Sequence, residues 1–158
     1  MKRTIAVIMT GTCVTVIATA ALWAQAHNHV IQSPTEVKWG PAPPMLPAGA
    51  EIAVVSGDPG KPAPYVVRLK FPANYDIPAH SHPTDENVSV VSGALFVGMG
   101  DKLDHAAGKS LSPGGFGLLP AGMNHYAFTR AATTILLFGQ GPVEFKYVNP
   151  KDDPRNKK

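Results

Sequence analysis

Two histidines and a glutamate, His80, His82 and Glu86, stand together in the stretch PAHSHPTDENVSVVSG, residues 78–93. All three are even-numbered. Side chains of an extended strand alternate between faces, so one face carries two imidazoles and a carboxylate and continues with Val88 and Val90. Polar groups set among apolar ones on an inward face need something to satisfy them. A divalent metal ion would do so, because imidazole and carboxylate are among its common ligands. Histidines at i and i+2 of a strand have Cα atoms roughly 6.6 Å apart, near enough for both rings to converge on one ion. Pro78 and Pro83 stiffen the chain on either side.

One strand cannot surround an ion, so a further ligand must come from elsewhere. His105, in GDKLDHAAGK, sits among charged and small residues and reads as part of an exposed loop. His125 follows the tight-turn sequence PAGMN and opens an apolar run, so its ring can enter from the opposite wall. It is the expected partner of His80, His82 and Glu86. His27 and His29 form an HNH sequence that, at a free amino terminus, could wrap copper or nickel; a frayed end is the expectation. Met99 and Met123 read as core fillers, and Tyr65 and Phe71 as core. Tyr126 is expected to face away from His125. No Ser-His-Asp order, phosphate-binding glycine loop or paired catalytic carboxylates stand out.

The elements that must position these residues are short and apolar, separated by Gly, Pro, Asn and Asp. Strands are expected over 51–56, 65–71, 86–92, 94–99, 116–120, 125–129, 133–138 and 143–148. Tyr65, Val67, Leu69 and Phe71 alternate with Arg68 and Lys70, and Val143, Phe145 and Tyr147 alternate with Glu144 and Lys146, as in strands with one wet face. No segment sustains a helical period. The fold class is therefore all-β, a sandwich or barrel.

The motif His80-x-His82-xxx-Glu86-x6-Gly93 resembles the first signature of the cupin superfamily, and Gly114-x5-Pro120-x-Gly122-xx-His125 resembles the second. The two are separated by residues 94–113, and the resemblance covers about residues 51–148. It implies a single conical jelly-roll β-barrel that holds one divalent metal ion through His80, His82, Glu86 and His125. Iron, manganese, nickel, copper and zinc all suit such a set. Two positions depart from the pattern: Asn74 replaces the leading glycine of the first motif, and Thr129 replaces the asparagine that often ends the second. In texture the chain is most similar to small, secreted, single-domain cupins of the ChrR-like kind.

Outside the barrel, the chain begins MKRTIAVIMTGTCVTVIATAALWAQA. Its positive start, uncharged run and Ala24-Gln25-Ala26 ending read as a signal peptide over residues 1–26. Cleavage would leave a periplasmic or secreted protein with no stable membrane anchor. It would also remove Cys13, the only cysteine, along with Lys2 and Arg3. The 14 basic residues then fall by two against 11 acidic ones, with no clustered basic face for nucleic acid. Residues 27–50, rich in proline, read as an extended N-terminal arm anchored by Trp39, and 149–158 as a polar tail. The expected partner is a small-molecule ligand or substrate, and the expected assembly a homodimer. Three activities fit: a metal-dependent dioxygenase-type enzyme, a non-catalytic metal or small-ligand binding or sensing protein, and a Lewis-acid isomerase or lyase.

Overall fold

The alternating residues of the chain do build a two-layered β-structure. A computed structural model describes residues 29–157; the expected signal peptide, the expected cleavage point and His27 lie outside them. The strands are β1 (Gly40–Pro41), β2 (Glu51–Ser56), β3 (Pro64–Phe71), β4 (Asp76–Ser81), β5 (Glu86–Ser92), β6 (Leu95–Met99), β7 (Lys109–Leu111), β8 (Phe116–Leu119), β9 (His125–Thr129), β10 (Thr133–Gln140) and β11 (Lys146–Tyr147). One sheet has the order β1-β2-β3-β10-β5-β8 and the other β11-β4-β9-β6-β7, and every pairing is antiparallel. This is the jelly-roll arrangement, with the core between the two sheets.

The first sheet buries Val67, Leu69, Phe71, Val88, Val90, Ile135 and Leu137 against Ile77, Leu95 and Ala127 of the second. A smaller cluster of Ala79, Tyr126 and Phe128 packs with Phe96 and Leu103 on the other face of the second sheet. Tyr126 thus faces away from His125, as alternation requires. Because both of its faces are covered, all five residues of β9 are buried. Met99 and Met123 are about half exposed, so they do not fill the core. Both stand where a strand meets its turn, and apolar composition alone does not reveal that.

β4 was not among the strands expected from sequence, and its register explains why. Ile77 pairs with Ala127 and His80 with His125, so three steps on β4 oppose two on β9. The extra residue is a β-bulge at Pro78 and Ala79, where a missing proline N–H does least harm. It also flips the alternation. Odd-numbered Ile77 and even-numbered His80 both face inward, while Ala79 joins the outer cluster. At the other end of the chain the expected strand 143–148 shortens to Lys146–Tyr147. The Val143 N–H goes to Pro59 O and the Glu144 carbonyl to a histidine ring, so neither is free for a ladder.

The proline-rich arm folds back onto the barrel. Gly40 and Pro41 pair with Ile52 and Glu51, and the Lys70 ammonium lies 4.2 Å above the Trp39 ring. The turn that follows is tied down by the Tyr147 hydroxyl, which donates to Met45 O at 2.8 Å, and by the Tyr75 hydroxyl, which donates to Pro47 O. Leu46 is buried beneath it. Two of the motif positions show why their residue types are needed. Asn74, in place of the first glycine, adopts φ 56°, a left-handed conformation that asparagine tolerates. Gly93 has φ 78°, and a Cβ there would lie 2.5 Å from Ala132 O.

Candidate metal centre

The bulge in β4 and the turn before β9 bring the two motifs together. His80 comes from β4, His82 from just beyond it, Glu86 from the start of β5 and His125 from the start of β9. The nearest ring nitrogens of His80, His82 and His125 lie within 4.8 Å of one another, and this three-histidine group could hold a metal ion. All three rings are buried, with exposures of 3%, 6% and 1%. Glu86, expected on the same strand face as the two histidines, reaches them instead from the facing sheet, because the chain crosses from one sheet to the other over residues 82–85. Its Oε1 lies 3.4 Å from His82 Nε2 and its Oε2 lies 3.6 Å from His125 Nε2.

The rings are oriented by main-chain oxygens. His80 Nδ1 lies 2.7 Å from Pro78 O, His82 Nδ1 lies 2.7 Å from Glu144 O, and His125 Nδ1 lies 3.1 Å from Met123 O. A carbonyl only accepts, so each Nδ1 carries the proton and donates it. That leaves each Nε2 with a lone pair. The Nε2 atoms of His82 and His125 are buried and have no hydrogen-bond partner. Several electron-pair donors therefore converge with nothing between them to share, and a cation satisfies that arrangement. The residues fit a divalent metal.

Electrostatics agree. Burial pushes the Glu86 carboxyl upward, but the His125, His82 and His80 imidazoles outweigh it, so it is held below its usual range and stays ionised. Burial, followed by the neighbouring His125 and His82, lowers His80 to about 3. The sign of the consequence is definite. His80 of an unfolded chain takes up a proton near pH 6.5 and native, metal-free His80 does not, so its contribution to stability, present above pH 6.5, is lost as the pH falls toward 3. Urea titrations of metal-free protein should show a loss of about 2 kcal/mol between pH 6.5 and pH 5. A His80→Asn variant should show a shallower slope.

His80, Glu86 and His125 border a mainly apolar cavity of about 30 Å³, walled otherwise by Phe71, Ile77, Val88, Leu95, Ala127 and Leu137 among others. That is room for a water molecule or an ion and little more. A larger chamber of about 200 Å³ adjoins it at Glu86, lined by Met45, Leu46, Ile52, Val67, Val143 and Phe145 among others. Glu86 is its one ionisable lining residue. His105 stays outside the site on the surface, where it pairs with Asp76 at 2.8 Å. Sequence reasoning did not assign Phe145 to the site, although its ring stacks on His80 at 4.5 Å. The alternation of Val143, Phe145 and Tyr147 was the available signal.

Comparison with solved structures identifies the architecture. A candidate acetylacetone dioxygenase from Methylibium petroleiphilum PM1 is 18% identical, with a TM-score of 0.62 over 81% of this chain and 86% of the other. The polyketide cyclase RemF from Streptomyces resistomycificus is 17% identical, with a TM-score of 0.62 over 80% and 90%. An RmlC-like cupin from Shewanella frigidimarina NCIMB 400 is 14% identical, with a TM-score of 0.55 over 70% and 89%. No protein-family model matches the sequence, and no curated protein matches it. At these identities the likeness is one of fold. The chain has the RmlC-like cupin fold, with a three-histidine cluster inside the barrel.

Proposed function

We propose that this chain is a secreted, metal-binding single-domain cupin that takes a small organic molecule to one divalent ion held by His80, His82, Glu86 and His125, and acts on it as a dioxygenase-type enzyme. The observation that carries the reading is the convergence of the orphaned, tautomer-fixed Nε2 atoms with the Glu86 carboxylate. A bound redox-active ion of this kind supplies coordination positions for dioxygen and for the oxygens of a chelating substrate. The chain supplies the rest. Its main-chain carbonyls fix the rings, its apolar walls keep bulk water away, and Glu86 is placed to accept a proton from a molecule in the adjoining chamber. The fold likeness to a candidate dioxygenase supports this choice of chemistry.

One observation favours a second reading. Apart from the histidines, Glu86 is the only ionisable side chain among the residues lining the two cavities. A site so poor in acids and bases suits capture or sensing of a metal or small ligand without turnover. Lewis-acid isomerisation or lyase chemistry would use the same donors. The expected homodimer also remains part of the proposal, supported by exposed Val54, Val91, Phe116 and Leu118. Elemental analysis of protein exported from cells without added metal should give close to one divalent ion per chain. Oxygen consumption with small diketones then separates the readings. Zinc alone with no oxygen uptake would reject the dioxygenase, and no bound ion would reject the site.

A further inference from the structure

Phe145 occupies a position that the ligand geometry does not require. Its ring lies parallel to His80, 4.5 Å between centres at 16°, and edge-on to His82, 4.5 Å at 86°. It lines three spaces at once: the small cavity at the ligands, the apolar chamber, and an outer cleft of about 280 Å³ bordered by Ser81, His82, Pro83 and Gly122. The backbone that carries it is fastened on each side. Glu144 O accepts from the His82 ring, and the Tyr147 hydroxyl donates to the arm at Met45 O. Its own carbonyl accepts from Arg155 Nη2 at 2.9 Å, and Arg155 is gripped by Asp153 through Nε at 2.8 Å and Nη2 at 2.7 Å.

We propose that Phe145 is the gate of the centre, dividing these spaces and setting the size of molecule that reaches the histidines, and that Arg155 is a positioning residue holding the gate in register. The backbone is pinned, while open space borders the ring on three sides. The ring therefore moves by side-chain rotation, with its contacts to the two imidazoles defining the closed position. A small chelating group passes beside it; an aryl group does not unless the ring swings or is removed. The inference rests on the reading that the histidines hold a metal that a small molecule approaches.

The test uses the mature chain loaded with Co(II), with acetohydroxamate and benzohydroxamate as probes, followed by the visible bands of the ion. Wild type is expected to prefer acetohydroxamate. Phe145→Ala should shift the ratio of affinities toward benzohydroxamate by about tenfold or more, the scale on which pocket size discriminates. Phe145→Leu, which keeps more of the packing, should shift it part of the way. Arg155→Ala should move the ratio in the same direction with Co(II) affinity unchanged. Ratios within about twofold of wild type in both Phe145 variants, folded and loaded, would overturn the gate. If wild type takes up no Co(II), the metal reading fails and the gate is judged by toluene alone. A rise in thermal midpoint with toluene in Phe145→Ala and not in wild type upholds it, and equal rises overturn it.

Discussion

His82→Ala is expected to yield a folded protein that binds divalent metal at least about a hundredfold more weakly than wild type. His82 joins both halves of the site. Its Nε2 lies 3.4 Å from Glu86 Oε1, and its Nδ1 reaches Glu144 O. Alanine removes one donor and opens the site toward the outer cleft, leaving His80, Glu86 and His125 to hold the ion alone. It also leaves the Glu144 carbonyl without its ring partner, so a modest loss of stability accompanies the loss of metal. Metal competition titrations measure the first effect and thermal melts in chelator the second. Full occupancy in the variant would show that His82 is not a ligand.

Phe128→Ala should give the largest loss of stability that leaves the ligands in place. Phe128 is 1% exposed, stacks on Phe96 at 4.9 Å and meets the His105 ring edge-on at 4.6 Å. The small cluster on that face of the second sheet has little else to fill the gap, so collapse around the cavity is limited. The cost is about 3–5 kcal/mol, a fall of some 10–20 °C in the thermal midpoint, read in chelator by melting or urea titration. Metal affinity of the folded fraction should change little, because Phe128 faces away from His125 on β9. A drop below about 1 kcal/mol would mean that the outer cluster is loosely packed.

Much of this was legible in the sequence, for identifiable reasons. Spacing that keeps His80 and His82 together survives in space because the bulge precedes His80 and nothing shifts the alternation between them. Glu86, by contrast, stands on the facing sheet and not on their face. The left-handed backbone at Asn74 follows from which residue types tolerate that conformation. Long-range relations were not legible. Nothing local to Glu144 says that its carbonyl will meet a ring 62 residues away, or that Tyr147 will hold the arm at Met45. β4 was hidden because a proline and a broken alternation are themselves the signs of a non-strand. β7 and β1, at three and two residues, are too short to carry a period.

The extra residue of the bulge lies opposite Tyr126, where β4 can change length without turning what flanks it. Removing one residue at position 78 or 79 would leave Ile77 and His80 two steps apart on a regular strand, still opposite Ala127 and His125 and still facing inward. The same loss at Ser81 would make the two histidines adjacent and turn one imidazole out of the barrel. Chains of this fold could therefore lose the bulge and keep both rings inside, whereas a change of length between the two histidines would lose one from the interior.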